Sequence, residues 1–210
     1  MAEAAEWQIR RPKKRHPPMT KPFVIVVTGR PGSGKTTLAH RLAKRICCPA
    51  LCRDEFKEGY VHSLGGSHAS LGEDINWRLF NIFFETVDFV VSRGLSVVIE
   101  AAFQHKLWSP KLTDLAEVAR VSIVVCTVDP NLARSRFIER GLADPARERF
   151  HGDNAGHAAK VGTELPVMQY QPPEMDLPIL TVDTTNGYLP TLDQIASFAM
   201  QGASVSAERD

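Results

Sequence analysis

The chain has 210 residues, 43% of them hydrophobic and 23% charged, with a formal net charge of +1. That length holds one domain with a sizeable core, or one domain carrying a lid. The near-neutral charge excludes a global attraction to nucleic acid or membrane, and no stretch approaches the roughly 20 apolar residues that a spanning helix needs.

In chain order, residues 1–21 come first. Their stretch "RRPKKRHPP" (Arg10–Pro18) puts five basic residues and three prolines into nine positions. Such a run buries no apolar area, so a disordered basic arm is expected. Contact with RNA, DNA or an acidic partner is its functional alternative and is not favoured. The apolar core of a secretory signal is absent from this arm, and the cytoplasm is the expected compartment.

"FVIVV" (Phe23–Val27) is a continuous β-branched run, the pattern of a strand buried on both faces. A helix follows over Gly34–Ile46, and "PALCR" (Pro49–Arg53) reads as a short second strand. The spacing predicts a helix over Asp74–Arg93, stopped at Gly94. Strands are expected at Leu95–Glu100, Val121–Val128 and Leu177–Asp183, with helices at Lys111–Ala119, from Asp129-Pro130 onward, and at Thr191–Met200. Residues 22–201 thus form one domain and 202–210 a flexible tail. Alternating strands and helices give an α/β fold: a five-stranded parallel sheet covered on both faces. Ligands of such sheets bind beyond the carboxyl ends of the strands. Gly29–Thr36, Asp54, Glu100, Asp129 and Asp183 all fall there.

The four cysteines, Cys47, Cys48, Cys52 and Cys126, make no disulfide framework. "CCPALC" lacks the CxxC spacing and the nearby histidine pair of a zinc site, so buried reduced thiols are expected.

Gly29-Arg30-Pro31-Gly32-Ser33-Gly34-Lys35-Thr36 fits G-x-x-x-x-G-K-[ST] without a gap. The glycines let the backbone turn and aim its N–H groups at phosphate oxygens, and the helix that follows adds the positive end of its dipole. Lys35 reaches the β- and γ-phosphates, Thr36 offers its hydroxyl to Mg²⁺, and Thr37 continues the nucleotide-binding set. The required context, a buried strand before and a helix after, is present. No N-K-x-D motif supports a guanine-specific GTPase. Size and the lack of a strand ending in Asp-Glu disfavour a motor or an AAA+ protein.

This loop resembles that of the small P-loop kinases, and the resemblance implies the P-loop nucleoside-triphosphate hydrolase fold. "LCRDEFKEGYVH" (Leu51–His62) looks like the second-strand signature of zeta-toxin-like and chloramphenicol-phosphotransferase-like kinases. It implies Asp54 as the base that takes the acceptor's proton, with Arg53 or Lys57 contacting the acceptor. An aspartate at this point also reads as a helix N-cap. Glu100, closing "SVVIE", stands where such kinases hold Mg²⁺ or grip the acceptor. Phe103, Gln104 and His105 follow it towards the same cleft.

Five arginines lie in "LARSRFIERGLADPARERFHGD" (Leu132–Asp153), which resembles an arginine-rich lid spanning about 134–160. Arg136 and Arg140 match the family pattern for clamping the transferred group, with Arg147 or Arg149 beyond them. Glu139 and Glu148 offer the alternative of a solvated, ion-paired helix face. "LTVDTTNGY" (Leu180–Tyr188) resembles the adenine-contacting loop, with Asp183 and Thr185 as nucleotide contacts or as turn formers. Between Gly59 and Asn76 a segment rich in glycine, serine and histidine is expected to be mobile and to cover the acceptor. His62, His68 and Trp77 are its candidate contacts, although Trp77 lies on an apolar helix face and reads as core.

The expected activity is transfer of the γ-phosphoryl group of ATP, with Mg²⁺, to a hydroxyl of a small molecule. The alternatives are a nucleic-acid 5′-hydroxyl kinase and a non-catalytic ATP-gated binding module.

Overall fold

A computed structural model describes residues 21–67, 72, 74–144, 146–151 and 170–201. The basic arm, His68, the C-terminal tail and the lid residues beyond His151 lie outside these. In chain order the elements are β1 (Phe23–Gly29), α1 (Lys35–Arg45), β2 (Ala50–Cys52), α2 (Arg53–Leu64), α3 (Ile75–Ser92) and β3 (Val97–Glu100). There follow α4 (His105–Val118), β4 (Arg120–Thr127), α5 (Pro130–Ala143), α6 (Arg147–His151), β5 (Ile179–Asp183) and α7 (Leu192–Gln201).

The five strands form one sheet in the order β2-β3-β1-β4-β5, and every neighbouring pair is parallel. Period-two alternation along β1 divides the core into two layers. Val24 and Val26 join Ile99, Ile123 and Val125 beneath Phe83, Phe84, Trp108 and Leu112 of α3 and α4. Ile25 and Val27 join Val98, Val124 and Val182 beneath Leu38, Leu42 and Ile195 of α1 and α7. Both faces of the sheet are therefore covered, which explains why β1 and β4 read as unbroken apolar runs rather than alternating ones.

The register matters more for the site than the packing does. Val27 pairs with Glu100, and Cys52 pairs with Glu100 from the other side. Glu100 thus ends the strand lying between the phosphate-loop strand and β2.

Two local differences from the sequence reading have physical causes. Helix α4 starts at His105, six residues before the expected Lys111, and runs through Pro110. Burying Trp108, which is 2% exposed, outweighs the single backbone bond that Pro110 removes. The Gly59–Asn76 segment is helical up to Leu64, because α2 continues until Gly65 adopts a left-handed φ of 68°.

Phe83 is fully buried, packs edge-on against Phe84 and Phe56, and touches Trp108. Phe83→Ala is expected to cost about 3–5 kcal/mol of unfolding free energy, read by equilibrium denaturation. A loss under about 1 kcal/mol would contradict this assignment of the core.

Candidate active site

The apolar β1 ends at Thr28-Gly29, and the chain must turn within six residues into α1. Gly32 has a φ of 80°, and a Cβ there would lie 2.0 Å from the carbonyl oxygen of Ala133 on α5. Only glycine lets the loop pass under α5. Gly34 takes the N-cap position of α1 in the left-handed region, without a side-chain cap and with no acidic residue in the first turn. The positive end of α1 is therefore left for another partner. Arg30 and Pro31 are half-buried, Ser33 is buried, and Thr37 is exposed on α1.

At the start of α1, Lys35 and Thr36 turn towards β3. The Lys35 ammonium lies 3.6 Å from Glu100 Oε1, and the Thr36 hydroxyl donates to Glu100 Oε2 at 3.2 Å. Lys35 and Glu100 are both buried. Glu100 Oε1 has no hydrogen-bond partner despite its depth. Burial holds the Glu100 carboxyl above the usual carboxylate range; Lys35 and the Thr36 hydrogen bond oppose this, and the nearby charge of Asp54 adds to it. Asp54, in the first turn of α2, thus belongs to the same electrostatic cluster. It is not an N-cap: Cys52 occupies that position of α2, and Asp54 lies in the first turn.

Arg53 opens onto a cavity of about 440 Å³ between α3, α4 and the end of β3. Asn76, Trp77, Phe80, Ala102, Gln104, Leu107 and Trp108 complete its wall. Trp77 is not core, as the sequence suggested; it is 56% exposed and stacks on Phe80 with ring centroids 5.3 Å apart. Gln104 lines this cavity, whereas Phe103 is buried in the core and His105 bonds Ser109. His62 is exposed on α2.

Several candidate residues have other partners. Lys57, expected to face an acceptor, is buried and donates to the His151 carbonyl at 3.0 Å. With the His151–Glu58 contact at 2.6 Å and Arg149 donating to the Gly66 carbonyl at 2.9 Å, it straps α6 onto α2. Arg136, expected to clamp phosphate, instead donates to the carbonyls of Thr184 and Thr185 at 3.2 and 2.7 Å. Its planar fork matches two successive carbonyls after β5. Arg140 lies over the Phe137 ring. Asp183 accepts from the Thr185 amide at 2.7 Å in a turn-forming bond, and hydrogen bonds from the Thr185 side chain and amide hold its carboxyl below the usual range.

Sequence reasoning missed Thr28, Thr184 and Tyr170. Buried Thr28 accepts from the Phe103 amide at 3.0 Å and shares a hydrogen bond with the Tyr170 hydroxyl. Burial pushes that phenol up to about 12. The Thr184 hydroxyl lies 2.7 Å from the Ser33 carbonyl and 3.0 Å from that of Thr127, tying the phosphate loop to β4 and β5. A polar residue inside an apolar strand was the signal for Thr28; nothing local marked the other two.

A carboxyl whose folded pKa exceeds its unfolded value holds its proton more tightly when folded. Its contribution to stability is therefore lost as pH rises. In buffer free of nucleotide and divalent ions, wild type is expected to lose unfolding free energy relative to Glu100→Gln as pH climbs above the ordinary value of 4.5. The opposite slope in paired denaturation curves would contradict a desolvated Glu100.

A family model described as an AAA domain matches residues 24–159, well over half of the chain. A candidate kinase from Chloroflexus aurantiacus is 25% identical, with a TM-score of 0.69 over 87% of this chain and 99% of that one. The APS kinase CysC of Mycobacterium tuberculosis, solved with AMPPNP and APS, is 17% identical, with a TM-score of 0.54 over 88% of this chain and 98% of that one. A chain of the Pnkp1/Rnl/Hen1 RNA repair complex is 17% identical, with a TM-score of 0.52 over 80% of this chain and 54% of that one. No curated protein matches the sequence. The described helices include none long and apolar enough to cross a membrane. The loop Gly29–Thr36, the parallel sheet that presents it and the matched model agree: the chain belongs to the AAA-domain family, with the fold of the small P-loop kinases.

Proposed function

We propose that the chain transfers the γ-phosphoryl group of ATP to a hydroxyl of a small molecule seated in the cavity beside Arg53 and Gln104. One observation carries this reading: Lys35, Thr36, Glu100 and the charge of Asp54 converge, and Arg53, next to Asp54, and Ala102, two residues past Glu100, line a cavity of about 440 Å³. That volume falls within the range of small-ligand sites.

The loop amides and Lys35 hold the β- and γ-phosphates, with Lys35 exchanging Glu100 for phosphate oxygens. The Thr36 hydroxyl and the Glu100 carboxylate are the hard oxygen donors that Mg²⁺ takes, and Glu100 Oε1, ion-paired with Lys35 but without a hydrogen bond, fits that role. Mg²⁺ bound there supplies positive charge to the phosphate oxygens. Trp77 and Phe80 offer an apolar face to the acceptor, while Asn76, Gln104 and Arg53 offer polar groups to orient it. Asp54 accepts the hydroxyl proton as that oxygen bonds to the γ-phosphorus. The bond to the bridging oxygen breaks, ADP leaves, and Asp54 returns its proton to solvent. Arg136, by fixing the loop after β5, shapes the nucleotide's base side rather than clamping the transferred group in this conformation.

A transfer assay with γ-labelled ATP, pooled small hydroxyl compounds and 5′-hydroxyl oligonucleotides tests the reading. Label is expected on a small compound. Asp54→Asn is expected to lower the rate by about 10²–10⁴-fold while ATP affinity changes by less than about threefold. Label on oligonucleotides would replace the acceptor class. Intact ATP binding without transfer to either pool, in the mutant and wild type alike, would favour an ATP-gated binding module.

A further inference from the structure

Beside the phosphate site, but separate from Lys35 and Thr36, three side chains from different elements meet. His40 lies on α1, Cys52 ends β2, and Glu55 lies in the first turn of α2. His40 Nε2 is 2.6 Å from Glu55 Oε1 and 3.6 Å from Cys52 Sγ. All three ligand atoms fall within 4.8 Å of one another. From this geometry we infer a binding site for one Zn²⁺-class cation, held by His40 Nε2, Cys52 Sγ and Glu55 Oε1.

The donor set points to a borderline-soft divalent ion rather than to Mg²⁺ or Ca²⁺, which take oxygen ligands. With Zn–N near 2.0–2.1 Å and Zn–S near 2.3 Å, a tetrahedral site has an N···S edge of about 3.6 Å, matching the separation present. The N···O edge of such a site is about 3.3 Å, so the Glu55 carboxylate must swing out by about 0.7 Å. Its side chain is 46% exposed and has room to do so. A thiolate and a carboxylate together balance a divalent charge, and water takes the fourth position on the exposed side. As the metal–sulfur bond forms, the Cys52 thiol releases its proton to solvent, with no change of oxidation state.

Cys52 and Glu55 bracket Arg53 and Asp54, while His40 stands on the phosphate-loop helix. A bound ion therefore cross-links α1 to the turn that carries Asp54. This inference rests on the three ligands and not on the kinase reading. Ligand spacing within "CCPALC" hid it, because two of the donors come from other elements.

Co²⁺ added to the full-length chain, kept reduced and in excess Mg²⁺, is the probe. One Co²⁺ per chain is expected, with the visible bands of a tetrahedral ion, a near-ultraviolet sulfur-to-cobalt band, and displacement by Zn²⁺. One proton per bound ion is released from the thiol, and Zn²⁺ raises the melting temperature. Cys52→Ser is expected to abolish the sulfur band, and His40→Ala or Glu55→Gln to weaken binding by at least about tenfold. The side chains of His40 and Glu55 are both nearly half exposed, so these variants should fold even if the buried Cys52 variant does not. The double variant Cys47→Ser/Cys48→Ser is expected to bind like wild type. No binding at one equivalent, undiminished binding in His40→Ala and Glu55→Gln, or loss of the sulfur band in the Cys47/Cys48 variant would overturn the assignment.

Discussion

A carboxylate buried at the end of β3 governs the arrangement around it. Taking Glu100 out of water is costly unless its charge meets a partner. Lys35 and Thr36, the first two residues of α1, supply that compensation. The phosphate loop is thereby tied to the sheet through Lys35 and Thr36, the residues proposed to hold phosphate and metal. Compensation is incomplete, since one oxygen of Glu100 has no hydrogen-bond partner and its carboxyl stays above the usual range. In the proposed function, phosphate and Mg²⁺ take over the partners of this ion pair and relieve the cost of burying it.

Two further braces keep the loop and the acceptor side in place. Thr184 bonds the loop backbone at Ser33, and Arg136 fixes the carbonyls that follow β5. On the opposite side, Lys57, Glu58 and Arg149 hold α6 against α2. Basic residues that a motif reader assigns to phosphate or substrate are thus engaged in fixing backbone segments around the site. Arginine suits this work because its fork satisfies two carbonyls at once.

The sheet was legible in the sequence because its three central strands, β1, β3 and β4, are buried on both faces and so read as β-branched runs, as in Phe23–Val27. The phosphate loop was legible because it is continuous: every constraint on Gly32 and Lys35 is written within eight residues. Asp54 and Glu100 were singled out as carboxylates that follow β2 and end β3, and Asp54 lies in the first turn of α2 within reach of the Glu100 charge. What the chain concealed depends on contacts between distant segments. Lys57 meets His151, Arg136 meets Thr184, and His40 meets Cys52, with no periodicity linking either member to the other. Trp77 misled because it lies at the edge of the broad apolar face of α3, beside the polar stripe of Asn81, Glu85 and Asp88, and only packing decides which aromatic side chain is left to line the cavity.

The most direct measurement is a crystal structure of the full chain with Mg²⁺ and a non-hydrolysable ATP analogue. Lys35 should have left Glu100 for the β- and γ-phosphate oxygens. The metal should be held by Thr36, with Glu100 in its coordination sphere or bonded to its water, and the γ-phosphate should face Asp54 across the mouth of the Arg53–Gln104 cavity. A nucleotide bound elsewhere, or one in the loop with Lys35 still on Glu100 and the γ-phosphate turned away from Asp54, would contradict a phosphoryl-transfer site built on that buried carboxylate.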